Sequence, residues 1–405
     1  MTEGIAWAVL HGYGPLYLRQ ALGETRLSMV ALCTGLMSLT TCVMANVWGR
    51  WADRGISTFG LIRGGLTGAT AIALLFPWVK HSLLYVMLCM SICACLAGVA
   101  PLTLAWATAQ NPEQPGRQVS RFYRTRAIGS TLGSFGGSLL VRLTGIEGFV
   151  LALRTTAAFF LMAVLALRLT GPGYTDPRTT RSLGRPVPPH AVGAASLWRD
   201  PLVTAMAVAV FFSFGSNETF FSLVGPYYTE YLAGSAADLG LALGVAGIVG
   251  LLASGPVGRL VDWRGPRNAF IFGTISYIGV YGLLCLFHSP LAVLILFAVP
   301  VYPLIAIGAT GLLNQHVAPG QRAEAMATFE GSAALALAGG SLFAGLGTDR
   351  LGLAALPFIS LILAIVGAAI TLLRVRELTR LAGKAVERYS ATHRSESWFP
   401  RDQES

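Results

Sequence analysis

The side chains best suited to chemistry sit where an apolar chain tolerates them least. Glu218 stands about midway along the apolar stretch 201–232, beside Asn217 and a turn beyond Phe214. A carboxylate there is costly unless it is protonated, paired or facing water. Glu218 therefore reads as a proton carrier or a binder of a cationic substrate; the competing readings are a structural pair or a position nearer the segment's end. Trp7 and His11 are four residues apart in the stretch 4–20, which puts them on one face of a helix. His11 has the chemistry to relay a proton or to pair with Glu218, against the plainer role of a hydrogen-bonded packing histidine. No nucleophile–base constellation accompanies these residues. A Gly-x4-Gly-Lys-Ser/Thr phosphate loop is also lacking, so an ion gradient rather than ATP would supply energy. The six cysteines fall in apolar stretches without nearby histidines and read as small packing residues, not as a metal site or disulfides. The sequence thus predicts no enzyme, no metal and no cofactor.

The elements that must position these residues are membrane helices. The chain is 54% hydrophobic and 12% charged, with a mean hydropathy of +0.62; a water-soluble domain of this length does not sustain that. A crossing helix needs about 20 apolar residues. Twelve stretches qualify, roughly 4–20, 27–48, 58–79, 82–109, 126–144, 147–169, 201–232, 237–257, 268–287, 290–313, 324–347 and 352–373. The fold class is an all-α membrane protein with twelve transmembrane helices. Residues 1–169 form one six-helix half and 201–373 the other. The Pro- and Arg-rich stretch 170–200 is a cytoplasmic linker, and 374–405 a cytoplasmic tail. Glu3, rather than a basic flank, precedes the first stretch, which argues against a removable signal peptide. Most Lys and Arg fall on the side shared by the loops near 49–63, 117–126 and 259–267, the linker and the tail. The positive-inside rule makes that side, and both termini, cytoplasmic. The net charge of +10 is explained by topology and needs no nucleic-acid partner.

The two halves repeat each other. GPLY at Gly14 recurs as GPYY at Gly225, Pro101-Leu102 as Pro303-Leu304, Pro115-Gly116 as Pro319-Gly320, and GGSL at Gly136 again at Gly339. Two apolar stretches end in related loops, GRWADRG from Gly49 to Gly55 and GRLVDWRGPR from Gly258 to Arg267. The order is kept at an offset of roughly 200 residues, the mark of a tandem duplication, and parallel membrane repeats point to a transporter. GSTLGSFGG (Gly129 to Gly137) and GSAALALAGG (Gly331 to Gly340) carry small residues at the spacing that lets helices pack backbone to backbone.

The paired loops, the six-plus-six arrangement and the basic linker resemble the major facilitator superfamily over nearly the whole chain. Gly49, Asp53 and Arg54 match that family's loop between the second and third helices. Gly258, Asp262, Gly265 and Arg267 match it in the second half, with Trp263 at a basic position. The resemblance implies alternating access, with these residues gating the cytoplasmic side. An Asp there would meet the positive end of a helix from the other half, and Glu330 would be a partner for Arg54. The plainer reading is that these charges only solvate loops and fix topology. The family builds its substrate cavity from the first, fourth, seventh and tenth helices, which nominates Trp7, His11, Trp106, Phe214, Asn217 and Tyr302, with Glu218 for proton coupling. The partial match of GSTLGSFGG to the fifth-helix signature of drug/proton antiporters favours proton-coupled export of an amphipathic drug or metabolite. The alternatives are a sugar or other neutral-solute transporter, and a transport-inactive membrane sensor or assembly partner. The implied partners are a small-molecule substrate, protons and the lipid bilayer. The setting is a monomer in a prokaryotic inner (plasma) membrane.

Overall fold

The computed structural model describes residues 1–54, 56–110, 115–169, 200–317 and 322–375, apart from a few side chains within helices. The expected linker, apart from Asp200, and nearly all of the tail lie outside the described residues, as do Gly55 and Pro319-Gly320. Every described element is helical. Before residue 170 these are α1 (Thr2–Leu16), α2 (Leu27–Asp53), α3 (Thr58–Ala73), α4 (Ser82–Leu96), α5 (Val99–Gln110), α6 (Pro115–Thr144) and α7 (Ile146–Leu169). After residue 200 follow α8 (Pro201–Ser222), α9 (Ala236–Arg264), α10 (Pro266–Leu286), α11 (Pro290–Phe297), α12 (Val301–His316), α13 (Arg322–Leu351) and α14 (Leu356–Ile370). Ten described stretches are long and apolar enough to cross a bilayer. The expected segments 4–20 and 126–144 fall outside that set. The first is divided between α1, of 15 residues, and a π-helix. The second belongs to α6, which extends back through the polar stretch from Pro115.

Three local features depart from the sequence expectation, each for a physical reason. The stretch 82–109 is two helices. The indole N–H of Trp48 donates to Ala94 O at 2.8 Å, and its ring occupies the space a side chain at Gly98 would need. The carbonyl that would continue the helix is thereby diverted. The stretch 290–313 breaks before Pro300, which has no N–H and disfavours helical geometry in the residue before it. Gly49 to Asp53 and Gly258 to Asp262, expected as loops, are the last turns of α2 and α9. No breaker interrupts the second until Gly265, whose φ of +82° suits glycine, with Pro266 opening α10.

The recurring motifs take the same local geometry at both places. Gly14-Pro15 and Gly225-Pro226 each lead into a five-residue π-helix, Tyr17–Ala21 and Tyr227–Tyr231. Each is closed by a wide turn, Leu22 N to Tyr17 O and Leu232 N to Tyr227 O, both 3.1 Å. The GGSL serines do the same job twice. Ser138 Oγ on α6 donates to Ala237 O on α9, and Ser341 Oγ on α13 lies 3.1 Å from Thr34 Oγ1 on α2. Their neighbouring glycines let α6 pack on the Tyr13 ring of α1 and α13 pack on the Gly215 carbonyl of α8. Close packing through small residues is what the sequence led us to expect.

The two serine contacts join the chain before residue 170 to the chain after 200, and other contacts between these stretches lie with them toward one end of the bundle. Arg19 forks onto Glu230 with N···O distances of 2.6 and 2.8 Å. The N–H of Ser28 at the start of α2 donates to Asp349 Oδ1 near the end of α13 at 3.2 Å. Gly35 faces Ser341, and Gly247 faces Thr131. At the opposite end, nothing lies within 4 Å of where a side chain at Gly49 or Gly258 would begin. The hydrogen bonds described between the two stretches all lie toward the Arg19 end.

Candidate functional site: a central aromatic cavity

Between α6, α8, α9, α10 and the α11–α12 break lies a cavity of about 710 Å³. That volume falls within the range of small-molecule sites. Each wall follows from local sequence. On α6, Arg124, Ala127 and Ser130 recur at three-residue spacing and present one helical face. On α9, Gly247 and Gly250 stand beside Ala246 and Leu251 in the wall; a Cβ at Gly250 would meet nothing within 4 Å. The unwound stretch around Pro300 supplies the opposite rim. Tyr277 and Tyr281, one turn apart on α10, stack at 5.8 Å between centroids with 23° between planes. The Tyr281 hydroxyl donates to Asn217 Oδ1 at 3.3 Å. The Tyr277 hydroxyl is buried without a hydrogen-bond partner.

The expected cavity residues divide. Asn217 and Tyr302 line the space, and Phe214 stacks behind Tyr302 at 4.9 Å. Trp106 packs edge-on against Phe59 of α3 instead. Trp7 and His11 stack at 4.0 Å, as their spacing predicts, with the Arg126 guanidinium 5.7 Å above the Trp7 ring and 3.5 Å from Glu3. His11 Nε2 is buried without a partner, so no hydrogen bond from it reaches Glu218.

Glu218 points away from the cavity, one residue on from Asn217 and turned by the helical repeat toward α13. It is 6% exposed, and Ser341 Oγ, at 3.3 Å, is its hydrogen-bond partner. Among the described residues no cation pairs with it. Ser341 has one hydrogen and three acceptors within reach: Glu218 Oε1, Leu337 O at 3.0 Å and Thr34 Oγ1. Thr34 belongs to α2, so the carboxyl is one hydroxyl removed from the closed interface.

The side chains of Asp53 and Asp262 lie outside the described residues. Arg54 caps α2 and is exposed; Glu330 is exposed on α13 and forms no ion pair with it here. α2 and α13 meet at their other ends, through Ser28–Asp349 and Thr34–Ser341. An Asp at a helix start contributed from across the chain does occur, but it is Asp349, at the opposite end from the one expected. Trp263 carries Arg264 over its ring at 4.2 Å, and Arg267 is the second residue of α10.

Below the cavity, Asp200 caps α8 by accepting from Leu202 N at 2.8 Å and Val203 N at 3.0 Å, and it meets His316 Nε2 of α12 at 3.0 Å. Burial pushes the Asp200 carboxyl up. The bonds from Val203 N, His316 and Leu202 N outweigh it and hold the carboxyl below its usual 3.8. The start of α8 is thereby fixed to the end of α12, and with it the spacing of Asn217 and Tyr302.

Sequence reasoning missed Tyr277, Tyr281, Arg124 and the Arg19–Glu230 fork. The two tyrosines carry the same four-residue spacing that singled out Trp7 and His11, but they stand outside the four helices the resemblance assigns to the cavity. Arg124 was counted as a topological charge. Arg19 and Glu230 stand at equivalent places after GPLY and GPYY, a signal that was present and unused.

Comparison with known proteins places this architecture. The Major Facilitator Superfamily model matches residues 1–318 and 206–400. The Multidrug resistance protein MdtG of Klebsiella pneumoniae (strain 342) is 24% identical over 281 residues, which is 67% of this chain and just under two thirds (66%) of that relative. The crystal structure of nucleoside transporter NupG superposes with a TM-score of 0.73 at 16% identity, covering 92% of this chain and 95% of that one. The D-xylose-proton symporter superposes with the same score at 14% identity and the same coverage. The chain belongs to the Major Facilitator Superfamily.

Proposed function

We propose that the protein is a twelve-helix secondary transporter of two six-helix halves, 1–169 and 201–373, joined by a cytoplasmic linker. It exports an amphipathic drug or metabolite in exchange for protons. The observation that carries this reading is a drug-sized aromatic cavity between helices whose described bonds across the two stretches all lie toward one end. Alternating access needs that asymmetry. With the basic turns at the cytoplasmic face, as the positive-inside rule requires, this conformer is closed outside and accessible from inside. The Asp53 and Asp262 turns and Glu330 would engage when the cytoplasmic end closes. The drug-resistance name of the MdtG relative supports export, and the name of the xylose-proton symporter supports proton use.

Glu218 is the proton carrier in this account. An ionised carboxylate buried without a cation costs several kcal/mol, so here it holds a proton or the Ser341 hydrogen. A protonated Glu218 donates to Ser341 Oγ and frees that hydroxyl's hydrogen for Leu337 O or Thr34. An ionised Glu218 claims it back. Proton binding thus changes a hydrogen bond at the closed interface between α2 and α13, which is how one site biases a global equilibrium. The Asn217–Tyr281 bond and the Tyr277 hydroxyl also favour a second reading, transport of a hydroxylated neutral solute such as a sugar.

Counterflow of pooled labelled drugs, metabolites and sugars into proteoliposomes tests the cavity. The Cβ of Gly250→Phe meets nothing within 4 Å and its ring enters the cavity, so exchange should fall at least tenfold, with an unchanged melting temperature as the check on folding. Saturable exchange that survives Gly250→Phe unchanged would remove the cavity from the transport path. Exchange of sugars alone would favour the second reading.

A further inference from the structure

The lining of the cavity carries one charged side chain among the described residues, and it is a cation. Arg124 faces the cavity from α6 and makes no hydrogen bond or ion pair among the described residues. Its neighbour Arg126 is already engaged by Glu3 and Trp7. The carboxylate that suggested a cationic substrate, Glu218, is not part of the lining. The remaining walls are aromatic and aliphatic with Ser130 and Asn217 as polar points: the Tyr277–Tyr281 stack, Phe221 against Phe297 at 6.2 Å, the stretch around Pro300, and the small residues of α9. The Tyr277 hydroxyl, on a residue only 3% exposed, is an unfilled hydrogen-bonding group at this wall.

The geometry points to an amphipathic anion as the preferred substrate, a flat aromatic carrying a carboxylate, with Arg124 as its specificity determinant. The guanidinium offers a planar fork that matches a carboxylate, and charge-assisted pairs of this kind are stronger than neutral ones. The stacked tyrosines take the ring face, and the Tyr277 hydroxyl takes a polar ring substituent or the second carboxylate oxygen. An arginine placed only to mark the cytoplasmic side would serve on any face of α6. This one shares its face with Ala127 and Ser130 toward the cavity. The inference rests on the cavity being the substrate site and sharpens the class of drug or metabolite it takes.

Three naphthalene probes of equal bulk test it by calorimetric titration of the full-length protein in detergent: naphthalene-2-acetate, naphthalene-2-acetamide and (2-naphthylmethyl)trimethylammonium. The acetate should bind about tenfold more tightly than the acetamide, and the ammonium most weakly. Arg124→Gln should bring the acetate to within about twofold of the acetamide while leaving acetamide affinity unchanged. Arg124→Lys should restore part of the preference. Tyr277→Phe should weaken acetate and acetamide alike, by about threefold. An acetate preference that persists in Arg124→Gln, an ammonium that binds best, or no binding by any probe each overturns the anion assignment. The transport reading fails separately, only if pooled counterflow finds no saturable flux of any solute class. An unchanged melting temperature in Arg124→Gln separates lost recognition from lost fold.

Discussion

Replacing Arg19 by Ala should open the closed end of the bundle, and the size of the effect follows from the bond it removes. The fork to Glu230 has two short N···O distances, 2.6 and 2.8 Å. The two side chains are 23% and 31% exposed. Fully exposed pairs contribute about 0.2–1 kcal/mol and charge-assisted bonds up to about 3. Partial burial places this pair near 1.5 kcal/mol, roughly tenfold in an equilibrium constant. Arg19 Nη1 also donates to Glu24 O and Thr25 O at 2.8 and 2.7 Å, so Arg19→Ala should exceed Glu230→Ala. Spin labels at Lys80 and Phe287, in a cysteine-free background, report the gap at this end by dipolar spectroscopy. Tyr85 and His288 show that both labels lie near the latch, through their contacts with Tyr17 and Tyr231. Arg19→Ala should raise the ratio of long to short distances about tenfold. One molar salt should mimic part of that, because the screening length falls to about 3 Å. Exchanging the charges, Arg19→Glu with Glu230→Arg, should restore the short distance. An unchanged distribution in Arg19→Ala, or a charge-swapped protein as open as either single variant, would refute the latch.

Other perturbations have equally definite outcomes. Gly340→Val places a Cβ about 2.5 Å from Gly215 O and 2.9 Å from Glu218 Cβ. It should destabilise the protein by about 1–3 kcal/mol, read as a lower melting temperature in detergent. Asp200→Ala should cost about 0.5–2 kcal/mol through the lost cap. Because the folded-state pKa of Asp200 is depressed, its contribution is complete above the usual 3.8 and is lost as pH falls through the lower folded value. Melting curves of wild type and Asp200→Ala should therefore converge in acid and separate toward neutrality. A gap that stays constant with pH would contradict the cap.

Periodicity and punctuation carried much of this architecture into view. GPLY and GPYY, and the paired GGSL motifs, mark similar π-helices and similar cross-chain serines in both stretches, because small residues at the same spacing allow the same close packing. The breaks at Gly98 and before Pro300 were harder to see. Both have breakers in the sequence, Gly98 with Pro101 and then Pro300, but the first also depends on Trp48, far away in the chain, which takes the Ala94 carbonyl. The cavity was half legible. Asn217 and Tyr302 follow from family helices, but helical phase alone turns Glu218 toward Ser341, and no spacing rule reveals which face of α8 meets α13. Arg124 reads as one more basic residue near a loop until α9 is seen to offer glycines opposite it.

The central claim is that a solute moves through this protein with protons, and that Glu218 carries them. The direct measurement is substrate-evoked proton movement in proteoliposomes loaded with a pH-sensitive dye, for wild type and Glu218→Gln. The account predicts a proton flux in wild type that vanishes in Glu218→Gln, while labelled solute still equilibrates by counterflow. Equal proton flux in both proteins would take Glu218 out of the coupling. Solute exchange without any proton flux in either would make the protein a facilitator or tie it to another ion.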